Sequence, residues 1–111
     1  MSAPVIDPQV LADLQQQAGA DFVRELVDTF AEEGPEQLAA MRTAAGGPAS
    51  AALRRAAHSI KSNATTFGAG RLATLARALE LGQRSADAAA LDELQAALDE
   101  ALAALRALSR E

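Results

Sequence analysis

Apolar residues recur along this chain at intervals of three and four, the spacing of helices that bury one side. Val23, Val27, Phe30, Leu38, Met41 and Ala45 hold one phase across Gly34-Pro35. They predict a single helix from Ala20 or Asp21 to about Ala45, kinked at Pro35 where an amide donor is missing. Leu53, Ala57, Ile60, Ala64 and Phe67 form a second stripe, and Leu72, Leu75, Ala76 and Leu79 a third, running from Arg71 to about Arg84 with Gly82 loosening its end. Leu91, Leu94, Leu98, Leu102, Leu105 and Leu108 line one face of a last helix, from about Ala88 to Leu108. Ahead of these, Asp7-Pro8 marks a helix start with Asp7 as cap and Pro8 at the first helical position. That short helix has one sticky side, Val10, Leu11 and Leu14, and ends at Gly19.

The connections are short. Gly46-Gly47-Pro48 is a turn, with Ser50 or a neighbour as the following cap; Thr65 to Gly70 contains the next break; Ser85-Ala86-Asp87 is the last turn and cap. Four long helices joined this way make an all-α, antiparallel up-down-up-down four-helix bundle. The additional short N-terminal helix is expected to lie across one end of it.

Composition agrees and narrows the class. Alanine and leucine dominate, the aromatics are Phe22, Phe30 and Phe67 alone, and 111 residues suit one domain with one core. No internal repeat or low-complexity tail is visible. With no cysteine there is no disulfide framework and no thiolate metal site. No apolar run approaches the ~18 residues of a membrane span, and Met-Ser-Ala-Pro-Val lacks the basic and apolar regions of a signal peptide, so a cytoplasmic protein is expected.

Charge is unevenly spread. The net charge is −5, yet between Glu36 and Glu80 there is no Asp or Glu, while Arg42, Arg54, Arg55, Lys61, Arg71 and Arg77 contribute six positive charges. A cationic middle on an acidic chain, without aromatics for stacking, argues against nucleic-acid binding and for a partner with a locally acidic pocket. Glu25, Asp28, Glu32, Glu33 and Glu36 crowd the outer side of their helix. Helical di-metal sites use Glu-x-x-His pairs from facing helices, which a chain with one histidine cannot supply, so this face is read as solvated and no metal is expected.

That histidine is His58. It falls roughly 140° from Leu53 on the helical wheel, which turns the imidazole to water while the opposite side of the helix is buried. Arg54, Arg55, Lys61 and Ser62 lie one turn away on the same face and Thr65 two turns along, giving a surface that is cationic, hydroxyl-bearing and free of carboxylates. The histidine is thus displayed with a cation, Lys61, one turn away.

His58-Ser59-Ile60-Lys61, followed by small residues, two threonines and Phe67-Gly68-Ala69, resembles the signature of histidine-containing phosphotransfer (HPt) domains. By helix count the resemblance spans essentially the whole chain, although only this central stretch is specific to the motif. The family usually has Gly directly after the Lys; this chain has Ser62, whose hydroxyl can crowd or hydrogen-bond a phosphoryl group. Asn63, where the family commonly has Ser, is a milder change. The resemblance implies that His58 is phosphorylated, that Lys61 supports the phosphorylated state, and that Arg54, Arg55, Ser62 and Thr65 meet the partner. It also makes Glu80, at the edge of its helix, a candidate to accept from one ring nitrogen and leave the other as nucleophile. The plain alternative for Glu80 is a surface ion pair with Arg77 or Arg84.

The implied partners are receiver domains of response regulators or hybrid histidine kinases. With no glycine-rich phosphate loop and no nucleotide signature, the chain is expected to be a carrier without a catalytic site or cofactor of its own, and a monomer. A helical docking module that is never phosphorylated is the alternative that Ser62 keeps open.

Overall fold

The computed structural model describes residues 4–45 and 51–109. Five helices follow one another: α1 (Pro8–Ala18), α2 (Ala20–Ala44), α3 (Ala51–Phe67), α4 (Gly70–Glu80) and α5 (Ala88–Ser109). No strand occurs among the described residues. Helix α2 packs on α3 and α5, α3 most extensively on α4, and α4 closes the ring against α5. The four form the antiparallel bundle, and α1 covers the end made by α2 and α3.

The stripes read from the sequence are the core. Val23, Val27, Phe30, Leu38 and Met41 from α2 meet Leu53, Ala57, Ile60, Ala64 and Phe67 from α3, all buried. Phe30 and Phe67 stack with ring centroids 5.7 Å apart and fix the level at which the two helices pass. Helix α2 runs through Pro35 as one element, as its unbroken phase required. Ala45, Leu75 and Leu108 lie at the edges of their stripes and are only half-buried. Small residues contribute more than the large-residue pattern suggested: Ala56, Ala90, Ala97 and Ala101 are all buried. The Gly46-Gly47-Pro48 turn and the Ser50 cap lie outside the described residues.

Caps explain where the helices begin and end. Asp7 accepts from the Gln9 amide at 2.9 Å with Pro8 in the first turn, and Asp87 accepts from the Ala90 amide at 2.8 Å. Helix α3 stops because Gly68 adopts φ +78°, and the amides of Gly68 and Ala69 turn back onto the carbonyls of Thr65 and Ala64. A Cβ on Gly68 would stand 2.9 Å from Val10 Cβ, and the Gly68 carbonyl accepts from the Asp7 amide at 2.9 Å. One glycine therefore both ends the histidine-bearing helix and seats α1.

Helix α4 is shorter than the sequence implied, ending at Glu80 and not near Arg84. Gly82 takes φ +70°, and the amides of Gly82 and Gln83 return to the carbonyls of Leu79 and Ala78. Glycine here terminates the helix outright, because the left-handed turn satisfies the last carbonyls better than another helical turn would. Glu80 is thereby placed on the final turn of α4, beside α3.

Candidate functional site

Burial of Ala57 and Ile60 fixes the rotation of α3 and turns His58 outward, with 58% of its side chain accessible. Its Nδ1 lies 2.5 Å from Glu80 Oε2, and the other carboxylate oxygen accepts from Lys61 Nζ at 2.8 Å. The carboxylate sits in the seam between α3 and α4, only 15% exposed, and so is partly withdrawn from water between two donors. Its pKa is held below the ordinary carboxylate value, first by the Lys61 hydrogen bond; burial opposes this, and the His58 hydrogen bond and the Lys61 charge add to it. An ionised carboxylate can only accept, so the contact requires a proton on Nδ1, and in the neutral ring that arrangement leaves the lone pair on Nε2. The contact holds the ring in one orientation, with Nε2 on the open side.

Each residue singled out from the sequence has a place here. Lys61 is one turn from His58, 27% exposed, and its charge is shared with Glu80 instead of standing free. Ser62 is exposed, with Oγ 3.5 Å from His58 Nε2. Thr65 is also exposed, but its hydroxyl donates to the Lys61 carbonyl at 2.9 Å. Arg54 and Arg55 lie exposed on the turn of α3 before His58. Together these residues make one surface.

Three expectations need correction. The face around His58 is free of carboxylates only as far as α3 is concerned, because the end of α4 brings Glu80 onto it. The alternative ion pair between Glu80 and Arg84 is not made: Arg84 reaches Glu93 at 2.7 Å, and Arg77 instead lines a shallow groove of about 450 Å³ with Lys61, Thr65, Thr74, Glu80 and Leu81. The cationic middle of the chain is also partly neutralised by α5, since Arg42 pairs with Asp92 at 3.0 Å and Arg71 with Glu100 at 3.7 Å. Glu80 does lie against one ring nitrogen, as the resemblance implied; what the sequence did not reveal was that Lys61 shares the same carboxylate, or the approach of Ser62 to Nε2. The only signal for the second was the i, i+4 spacing itself.

Among the described residues no group of three or more His, Asp or Glu is placed to hold a metal ion, and no helix is long and apolar enough to cross a membrane. No match was found among curated proteins. The structure is similar to the crystal structure of histidine-containing phosphotransfer protein B (HptB) from Pseudomonas aeruginosa PAO1, with a TM-score of 0.82 and 29% sequence identity over 98% of this chain and 97% of that one. A family model described as Hpt domain matches residues 25–107, from the first turns of α2 almost to the end of α5. Proteins of this kind are phosphocarriers that interact with receiver domains. With that match covering most of its length, the chain belongs to the Hpt domain family, and it is a phosphotransfer carrier of a two-component phosphorelay.

Proposed function

We propose that His58 is the phosphoryl-carrying residue and that the group is bonded to Nε2. The observation that supports this most directly is the pairing of an exposed ring with a carboxylate 2.5 Å from its other nitrogen. In the forward step the Nε2 lone pair attacks the phosphorus of an aspartyl phosphate on a receiver domain. The P–N bond forms as the bond to the acyl oxygen breaks, and the receiver carboxylate leaves with the electron pair. The ring becomes a phosphoimidazolium whose Nδ1 proton stays on the Glu80 hydrogen bond, and the positive charge developing on the ring is met by the Glu80 carboxylate. Transfer to a second receiver is the reverse of these movements.

Glu80 acts on the reaction through the ring, while Lys61 holds Glu80 and lends positive charge to the phosphoryl oxygens. The receiver supplies the catalytic groups, and this chain the orientation of its nucleophile; it needs no catalytic site or cofactor of its own. Arg54, Arg55, Ser62 and Thr65 form the surface on which the receiver settles, with the arginines steering an acidic pocket onto the ring. The bundle works as one domain, as a monomer in the cytoplasm, with receiver domains of response regulators or hybrid kinases as partners.

Incubation with a phosphorylated receiver domain tests this reading. The chain should acquire a label that is lost in acid and kept in base, and His58→Gln should remove the label while leaving the helical circular dichroism unchanged. Undiminished labelling of that variant would put the carrier residue elsewhere, and no labelling of the wild-type chain by any phosphorylated receiver would favour docking without transfer.

A further inference from the structure

Past Ser59, three hydroxyls lie on α3 after His58, and they are not used alike. Thr65 and Thr66 donate to the carbonyls of Lys61 and Ser62, each at 2.9 Å, and so are committed to the helix. Ser62 Oγ is turned instead toward His58 Nε2, at 3.5 Å. That separation is long for a hydroxyl donor, so the resting lone pair is only weakly engaged and the nitrogen stays available for attack. A phosphorus atom bonded to Nε2 carries its oxygens into the neighbourhood of that hydroxyl. The distance that makes Ser62 a poor partner for the ring makes it a good one for the group the ring carries.

We propose that Ser62 is a ligand of the phosphoryl group on His58, its hydroxyl donating to a phosphoryl oxygen and slowing loss of the group to water. This rests on His58 being the carrier. The hydroxyl is fixed to the helix one turn from the ring, whereas the phosphoryl group recedes from Nε2 as the P–N bond lengthens and its electron pair returns to the nitrogen. The hydrogen bond is thus strongest before departure and weaker in the transition state, and an interaction of that kind slows the step. Water then bonds to phosphorus, releasing orthophosphate and a proton. A hydroxyl donating to a charged oxygen at an exposed site corresponds to about a tenfold change in lifetime. In this chain the position after Lys61, where the family motif usually has glycine, would favour retention of the phosphoryl group.

The test is to load the protein from a phosphorylated receiver, remove the receiver, and follow decay of the base-stable label. Ser62→Ala and Ser62→Gly should both shorten the half-life about tenfold. The alanine variant preserves helix propensity, so agreement between the two isolates the hydroxyl from any backbone effect. An unchanged half-life in Ser62→Ala, or a shortening confined to Ser62→Gly, overturns the role of the hydroxyl. If His58→Gln still accepts the label, it is the carrier assignment that fails; if that variant takes none and Ser62→Ala decays like wild type, only the present inference does.

Discussion

Replacing Glu80 by Gln preserves the shape of the side chain but removes its charge and one of its two acceptors. In the wild-type site both oxygens are used, Oε1 by Lys61 Nζ at 2.8 Å and Oε2 by His58 Nδ1 at 2.5 Å. An amide has one acceptor and one donor end, and the lysine ammonium can only donate. The amide oxygen therefore faces Lys61, which leaves the amide NH₂ against Nδ1. Nδ1 must then accept, the ring proton moves to Nε2, and the outward nitrogen loses its lone pair. A hydrogen bond to a charged group contributes about 1.5–3 kcal/mol, and the exposure of His58 places this one at the lower end. At about 1.4 kcal/mol per decade, transfer from a phosphorylated receiver should slow by about 10–30-fold. Rapid-quench kinetics measure the rate, and ¹⁵N chemical shifts of the ring report the tautomer. A variant that transfers at the wild-type rate with its proton moved to Nε2 would refute the orienting role.

Three further outcomes follow from the same geometry. Gly68→Ala must hold an L-residue at φ +78° with its Cβ 2.9 Å from Val10 Cβ; the backbone term alone costs about 1–2 kcal/mol, and a larger loss of stability is expected in urea titration, with α1 loosened. Because the folded protein lowers the Glu80 pKa, its contribution to stability is present above the ordinary carboxylate range and is lost as pH falls through the lowered value. The stability difference between wild type and Glu80→Gln, from denaturant titrations at several pH values, should therefore shrink from pH 6 to about pH 3; a gap that widens in acid contradicts the sign. Lys61→Ala releases Glu80 Oε1 and removes a cation beside the ring, so transfer should slow or the phosphohistidine decay faster, and unchanged kinetics of both would remove Lys61 from the site.

Much of the fold was legible because it rests on periodicity. The α2 and α3 stripes needed only their three-and-four spacing, and α2 stayed one helix across Pro35 because its phase did. The outward turn of His58 followed from the same count. What the pattern could not supply was contact between helices. Glu80 stood at the rim of its own stripe, and nothing in α4 alone said whether it would turn to Arg84 or cross to α3. That choice was settled by the left-handed turn at Gly82, which ends α4 at Glu80, and by the packing of α4 on α3. The arginines misled in the other direction. Read along the chain they made a cationic block, whereas in the bundle Asp92 and Glu100 of α5 come round to meet Arg42 and Arg71.

The bond between the phosphoryl group and the ring is the most direct test of the account. Two-dimensional ³¹P–¹⁵N correlation on the chain loaded by a phosphorylated receiver should couple phosphorus to Nε2 of His58, with Nδ1 still protonated toward Glu80. Coupling to Nδ1 would mean that the carboxylate at 2.5 Å gives way to the phosphoryl group instead of orienting its acceptor. No coupling to His58 at all in a labelled protein would contradict the central claim.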